Sequence, residues 1–124
     1  MLKKNEFLNV GISAPTERKL TIQFINKKRV KLLNGKKVEK IILDCVEYET
    51  GLKFKISDVA HKESDGSIKI SGIWWSITDG GLSPQCYLAK LLKKHKAALV
   101  GELRKKEVTA VQDSNNFLVL KGYD

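Results

Sequence analysis

Apolar and polar residues alternate along two stretches in the middle of the chain. Apolar residues alternate with lysine and serine over 52–57, and a second alternating stretch covers 68–71. A period of two is typical of a strand that presents one face to the core. Because Asp65-Gly66 separates the two stretches, the pattern predicts that they pair as a β-hairpin.

The second stretch continues past a glycine, Gly72, into a pair of tryptophans. A β-bulge at a glycine adds one residue to a strand and moves the following side chains to the opposite face. Before the glycine, we expect Ile68 and Ile70 to face the core. After it, the expected core-facing residues are Ile73, Trp75 and Ile77. Trp74 then lies on the outer face.

The outer face of this predicted hairpin carries an aromatic ring among polar and cationic side chains. Besides Trp74, its expected members are Lys53, Lys55, Lys69 and Ser71. An exposed ring can stack on a base while nearby lysines neutralise phosphates, so this face is a candidate for nucleic-acid binding. The alternative is that Trp74 packs beneath the N-terminal segment, because tertiary contacts often override a strand pattern.

Further strands are predicted on the N-terminal side of this hairpin. Asn34-Gly35 tolerates the positive φ angles of a tight turn, so it predicts a hairpin between strands at 29–32 and 38–49. Alternation of apolar and polar residues indicates another strand at 20–24. We expect that strand to be an exposed edge, through which two chains would pair as a homodimer.

One helix and two strands are predicted on the C-terminal side. Ser83-Pro84 suits a helix start, with serine as the N-cap and proline in the first turn. The apolar face of this helix would hold Leu88, Leu91, Leu92 and His95. The last two strands are expected at 107–111 and 117–123, joined by a turn at 113–116.

Basic residues outnumber acidic residues and are concentrated in two segments, 27–40 and 90–96. The 124 residues include 23 Lys and Arg against 14 Asp and Glu, for a formal net charge of +9. Segment 27–40 holds the candidate phosphate-binding residues Lys27, Lys28, Arg29, Lys31, Lys36 and Lys37. Such a segment favours a polyanionic partner, usually nucleic acid, although a solvated hairpin is the alternative. Only three of the basic residues are Arg, which favours backbone attraction over base-specific contacts.

From residue 38 onward, the order of the predicted elements is three strands, one helix and two strands. This order resembles the OB-fold, a five-stranded Greek-key barrel, over about residues 38–123. The helix at 83–92 would lie between the third and fourth strands and plug the barrel. We therefore expect one mainly β domain, 1–124, in which an OB-like barrel at 38–124 follows an N-terminal β extension. That extension comprises the arm and basic hairpin at 1–37.

The chain resembles the small single-stranded-DNA-binding proteins of viruses and archaea. In such domains the second and third strands form the binding face, and two loops flank it. The resemblance therefore implies the same outer face around Trp74, with loops at 49–51 and 113–116 beside it. Because the second loop is short and not basic, the basic hairpin would supply the remaining positive charge.

Residue patterns typical of catalytic and metal sites do not occur in the sequence. It contains no Gly-rich phosphate loop, no H-E-x-x-H, no C-x-x-C and no nucleophile elbow. Asp44, Asp58 and Asp65 would have to converge to bind Mg²⁺, and nothing in the sequence indicates that they do. Cys45 and Cys86 lie far apart in apolar surroundings, which favours reduced, buried thiols. We therefore expect no enzyme activity, no cofactor and no metal.

These observations favour a protein that binds single-stranded nucleic acid, DNA before RNA, with low sequence specificity. Binding would combine attraction between lysines and phosphates with base stacking on Trp74. The alternative is a protein-binding module, an inhibitor or assembly factor, with the exposed tryptophan as its anchor. A third hypothesis is an RNA-binding factor that uses the same face. The sequence has no membrane-spanning run and no signal-peptide pattern, so we expect a cytoplasmic protein, in the host cell if it is viral.

Overall fold

The computed structural model describes residues 17–113 and 115–123, which form a mainly β structure with one short α-helix. The strands are β1 (Arg18–Lys31), β2 (Lys37–Val46), β3 (Lys53–Ile56), β4 (Asp58–Lys62), β5 (Ile68–Gly72), β6 (Ile77–Thr78), β7 (Gly81–Leu82), β8 (Glu107–Gln112) and β9 (Leu118–Lys121). The helical elements are α1 (Tyr87–Lys94) and a 3-10 helix at Val100–Leu103. Most of the predicted N-terminal arm, residues 1–16, lies outside the described residues.

Seven of the strands form one mixed sheet, in the order β3-β2-β1-β8-β9-β4-β5, and β6 pairs with β7 separately. Neighbouring strands of the large sheet are antiparallel except β4 and β9, which are parallel. The prediction of a mainly β chain with one helix is confirmed. The predicted OB-like barrel of five strands is not confirmed, because no closed barrel is found in the described part of the chain, where one open sheet of seven strands ends at β3 and at β5.

β1 lies inside the sheet and not in an extension at its edge. It pairs with β2 over Thr21–Lys31 and with β8 over Arg18–Thr21. The strands predicted at 20–24 and 29–32 are therefore one continuous strand, and Leu20 is buried. The prediction of an exposed edge at 20–24 is wrong because β8 covers it, although a homodimer formed by another surface stays a prediction.

The predicted hairpin between 52–57 and 68–71 is wrong, because an additional strand, β4, lies between them. β3 pairs with β2, whereas β5 pairs with β4. Only Ser57 separates β3 from β4, so within a single residue the chain passes from one end of the sheet order to the strand next to the other end. Val59 and Ala60 are the buried residues of the missed strand, and polar neighbours on both sides concealed it.

The Asn34-Gly35 and Asp65-Gly66 turns both form as predicted. Gly35 and Gly66 have φ angles of +83° and +88°, which glycine adopts without steric cost. Gly35 N donates to the Leu32 carbonyl at 2.9 Å, and Gly66 N donates to the Glu63 carbonyl at 3.0 Å. These turns fix the β1–β2 and β4–β5 hairpins.

The side-chain directions in β5 differ from the prediction because Gly72 does not form a bulge. Val59 is buried in the core and lies directly opposite Ser71 in a regular ladder. Cross-strand partners share a face, so Ser71 lies on the same side of the sheet as Val59, and Ile68 and Ile70 lie on the other side. Ile73 is buried as predicted. The three isoleucines expected in the core are exposed instead, at 48%, 40% and 57% for Ile68, Ile70 and Ile77.

Helix α1 covers the main core and begins later than the sequence indicates. Its N-cap is Cys86, whose Sγ accepts a hydrogen bond from Ala89 N at 3.4 Å, so the predicted start at Ser83-Pro84 is wrong. The predicted apolar face is confirmed for the three leucines, and His95 is the C-cap residue. The buried core beneath the helix includes Leu20, Ile22, Ile41, Leu43, Ile56, Val59 and Ile73. No helix of the described residues combines the length and hydrophobicity required to cross a membrane.

Gly122 lies too close to β4 to accommodate a side chain. Its N–H donates to the Ala60 carbonyl at 2.7 Å, and a Cβ on Gly122 would lie 2.6 Å from the same oxygen. We expect Gly122→Ala to lower the free energy of unfolding by about 1–3 kcal/mol, the usual cost of overpacking. Gly101→Ala is the matched control, because a Cβ there meets no atom within 4 Å. Urea unfolding measures both variants, and equal losses would contradict this account of the contact.

Burial raises the pKa of the Cys45 thiol from 9.0 to about 12, and the Asp44 carboxylate adds to the increase. Between these two pH values the unfolded thiol loses its proton while the native thiol keeps it, so stability falls as pH rises. We expect Cys45→Val to show a smaller loss of stability than the wild type between neutral pH and about pH 10.5. Urea unfolding at both pH values tests this, and identical losses in the two proteins would show that Cys45 is not responsible.

Candidate functional site

Segment 73–75 fixes the positions of both tryptophans through backbone hydrogen bonds. Ile73 N donates to the Ser57 carbonyl at 2.9 Å, and the Ile73 carbonyl accepts from Ile41 N at 2.7 Å. Trp75 N donates to the Glu39 carbonyl at 2.9 Å. Because adjacent residues of an extended segment point to opposite faces, the two indole rings lie on opposite sides of the segment.

Trp74 lies at the surface, beside a lysine and over a glycine. A Cβ on Gly72 would be 2.8 Å from the indole ring, so the absence of a side chain there makes room for it. The Lys40 ammonium lies 5.5 Å from the centroid of the ring and 2.7 Å from the Asp58 carboxylate. Trp74 keeps 36% of its surface exposed, which agrees with the predicted outward position.

A cleft of about 760 Å³ lies beside Trp74, between the β4–β5 hairpin and α1. Its aromatic lining residues are Trp74, Tyr87 and Tyr123, and its cationic ones are Lys62, Lys90 and Lys94. Among the described residues, no Asp or Glu lines the cleft, and none of these three lysines has an ion-pair partner. The cleft is therefore positively charged.

Tyr87, which lines this cleft, carries a neutral hydroxyl. Burial raises its pKa from 10.0 to about 12, so the phenol keeps its proton well above neutral pH. A protonated phenol donates a hydrogen bond and adds no negative charge. The ring therefore offers both an apolar face and a donor to a bound molecule.

His61 and Ser71 form a polar pair on the wall of the cleft. The Ser71 hydroxyl lies 3.2 Å from His61 Nε2, and His61 Nδ1 lies 3.8 Å from the Glu63 carboxylate. The order of these groups is that of a nucleophile, a base and an acid, but 3.8 Å is too long for a hydrogen bond that would orient the imidazole. The pair suits recognition of polar ligand atoms better than it suits catalysis.

The structure separates the lysines that the sequence analysis placed around Trp74. Lys53 and Lys55 lie on β3, and Lys69 lies on β5 at the opposite end of the sheet order. Lys55 points into solvent with 80% of its side chain exposed, at 3.7 Å from the Asp44 carboxylate. Of the predicted sheet residues, the cleft brings together Trp74 and Ser71.

The basic hairpin, residues 27–40, carries like charges directly opposite one another. Lys28 pairs with Lys40 across the strands, and Lys31 pairs with Lys37. Adjacent like charges repel and cost stability unless an anion lies between them. Lys40 has Asp58 as a partner. The remaining predicted cations of this hairpin with no acidic partner in the described chain are Lys28, Arg29, Lys31, Lys36 and Lys37.

The helical wall of the cleft was not predicted as part of the site, although Lys90 and Lys94 belong to the second basic segment, 90–96. Tyr87, Lys90 and Lys94 are spaced three and four residues apart, so they share one face of α1. That spacing was available in the sequence, but it gains meaning only when the helix is known to face β4 and β5. Tyr123 and His61 carried no comparable local signal.

The three aspartates considered as a Mg²⁺ site each have a separate partner. Asp58 pairs with Lys40, Asp44 accepts from Asn26 Nδ2 at 2.7 Å, and Asp65 accepts from Ser67. The hydrogen bonds from Ser67 lower the pKa of Asp65. Within residues 17–113 and 115–123, no group of three or more His, Cys, Asp or Glu side chains could hold a metal ion.

No family model, curated protein or solved structure matches this chain. The cleft is therefore interpreted from the chemistry of its lining residues. Its aromatic rings suit a planar group, and its unpaired lysines suit an anionic one. His61 and Ser71 add hydrogen-bonding groups between them. A ligand that combines planar rings with phosphates matches all three properties.

Proposed function

We propose that this protein binds single-stranded nucleic acid, with DNA as the first candidate and with low sequence specificity. One observation carries the proposal, namely an exposed tryptophan at the edge of a cleft whose described lining has three lysines and no acid. In this proposal a base stacks on Trp74, while Lys90 and Lys94 on the helix attract the adjoining phosphates.

The low specificity follows from the types of residue in the cleft. Every base has a π face, so stacking on Trp74 tolerates any sequence and contributes about 1–3 kcal/mol per base. Lysine is a point charge that attracts phosphate without a fixed geometry, whereas base reading usually needs planar, bidentate groups. His61 and Ser71 would make one polar contact to a base edge, which is a modest preference at most.

An OB-like arrangement is part of the same proposal. If β3 and β4 count as one strand interrupted at Ser57, six strands remain in the large sheet, and the five other than β5 follow the order expected of a partly open OB barrel. β1 then pairs with β2 and β8, the interrupted strand pairs with β2 and in parallel with β9, and α1 lies between the third and fourth strands. In this arrangement the first strand is β1, and not the strand that the sequence places at residue 38.

A second candidate function is the protein-binding module. It is favoured by the exposed Ile68 and Ile70 on β5, which ends the sheet and leaves backbone groups available to a partner strand. This candidate would gain support if the protein failed to bind nucleic acid even at low salt. We propose no catalytic activity for either candidate.

Trp74→Ala tests the stacking contact. We expect it to weaken binding to an oligothymidylate by roughly 5- to 150-fold, which corresponds to the loss of about 1–3 kcal/mol of stacking free energy. Fluorescence anisotropy of a labelled strand measures the affinity, and thermal unfolding checks that the variant folds. Tyr48→Ala removes a more exposed aromatic ring that lies outside the cleft, and it should leave the affinity unchanged. Equal affinities for the wild type and Trp74→Ala would refute this assignment.

Lys94→Gln tests the phosphate contacts, with its neighbour Lys93→Gln as the matched control. Both lysines are exposed on α1, but only Lys94 lines the cleft. The slope of log affinity against log salt changes by about 0.7 for each phosphate that a single strand loses. We expect Lys94→Gln to reduce the slope by about that amount and Lys93→Gln to leave it unaltered. If both variants change the slope equally, general charge and not the cleft determines binding.

A further inference from the structure

Trp75 is only partly buried, although the sequence analysis placed it in the core. One side of the ring packs against the main core. The other side lines a hollow of about 450 Å³ next to Arg29, Lys37, Val38 and Glu39 of the basic hairpin. This hollow lies on the opposite side of segment 73–75 from Trp74, so it is a different surface from the cleft.

The charges around this hollow leave two cations available for a ligand. The Lys27 ammonium lies 4.8 Å from the centroid of the Trp75 ring and 3.3 Å from the Glu39 carboxylate, so Lys27 neutralises the one acid of the hollow. Arg29 lies opposite Glu39 in the ladder, and Lys37 lies opposite Lys31. Neither Arg29 nor Lys37 has an ion-pair partner among the described residues.

We infer that this hollow is a second nucleotide subsite, in which a base contacts the exposed side of Trp75 and its phosphate binds Arg29 and Lys37. The guanidinium of Arg29 presents parallel N–H donors that match two phosphate oxygens, and Lys37 adds a second positive charge. A phosphate at this position also relieves the repulsion between Lys31 and Lys37. The inference rests on the proposed function, because the ligand is the same single strand.

Two subsites on opposite sides of one segment determine the path of the strand. A strand that occupies both must cross segment 73–75 between the cleft and the basic hairpin. The basic hairpin then binds the part of the nucleic acid that extends beyond the cleft. This contact gives the unpaired cations of the hairpin a defined role. The competing explanation is that Trp75 only fills space between the core and the hairpin.

Single-tryptophan variants separate the two rings in one experiment. Trp74→Phe leaves Trp75 as the sole tryptophan, and Trp75→Phe leaves Trp74. Phenylalanine keeps an aromatic ring in each place, and circular dichroism checks the fold. The probe is an oligothymidylate of about 15 nucleotides, long enough to span the site size of one such domain. We expect the strand to quench the emission of both variants.

The outcomes distinguish this inference from the proposed function. Quenching in Trp75→Phe but not in Trp74→Phe would overturn the second subsite and leave the cleft proposal intact. Quenching only in Trp74→Phe would support the second subsite and overturn the role of Trp74. The test of the second subsite requires only Trp74→Phe to fold, so a folding failure of Trp75→Phe does not affect it.

The cations are tested in the Trp74→Phe background. Adding Arg29→Gln and Lys37→Gln should lower the affinity for the strand, measured from the quenching of Trp75, by about tenfold at low salt. The reason is that two phosphate contacts are lost. The matched control removes two exposed lysines outside both surfaces, Lys19→Gln with Lys93→Gln, and should change the affinity by less than about twofold. Equal effects of the two double variants would overturn the phosphate contacts of the subsite.

Discussion

The backbone hydrogen bonds between β2 and segment 73–75 are the constraint on which the rest of the site depends. β2 pairs with β3 through residues 43–46, and its preceding residues, 39–41, bond to segment 73–75. Ile73 also bonds to Ser57, at the break between β3 and β4, and its side chain is buried in the core. These bonds leave the segment no freedom to rotate, so one tryptophan faces the cleft and the other faces the basic hairpin.

Several carboxylates of the described chain form ion pairs or hydrogen bonds with nearby side chains. The unpaired positive charge is therefore concentrated elsewhere. Glu47 is buried and accepts from Arg18 at 3.0 Å and from the Thr50 hydroxyl at 2.7 Å. Asp58 forms an ion pair with Lys40, and Glu39 forms one with Lys27. The lysines of the cleft and the tip of the basic hairpin have no such partners. Unpaired positive charge is therefore present at two surfaces that both lie next to a tryptophan.

Local patterns in the sequence predicted local structure, but they did not predict which strands pair with one another over long range. The Asn34-Gly35 turn and the leucine face of the helix depend on neighbouring residues, and both were correct. The partner of β3 depends on where the whole chain folds back, and two apolar residues, Val59 and Ala60, were too weak a signal for a strand. Because β4 was not predicted, β5 was paired with β3 instead. That pairing placed Ile68 and Ile70 in the core and required a bulge at Gly72, which does not form. The cleft was equally hidden, because its two walls are joined only by the tertiary fold.

The position of Lys69 in β5 has a consequence for the behaviour of the chain at high concentration. β5 ends the sheet order, and Lys69 stands between Ile68 and Ile70, whose side chains are exposed. An open edge with apolar side chains is a template for uncontrolled stacking of identical strands, and a charge within the run opposes it by repulsion between copies. Lys69 therefore places a charge where it opposes such edge-to-edge pairing.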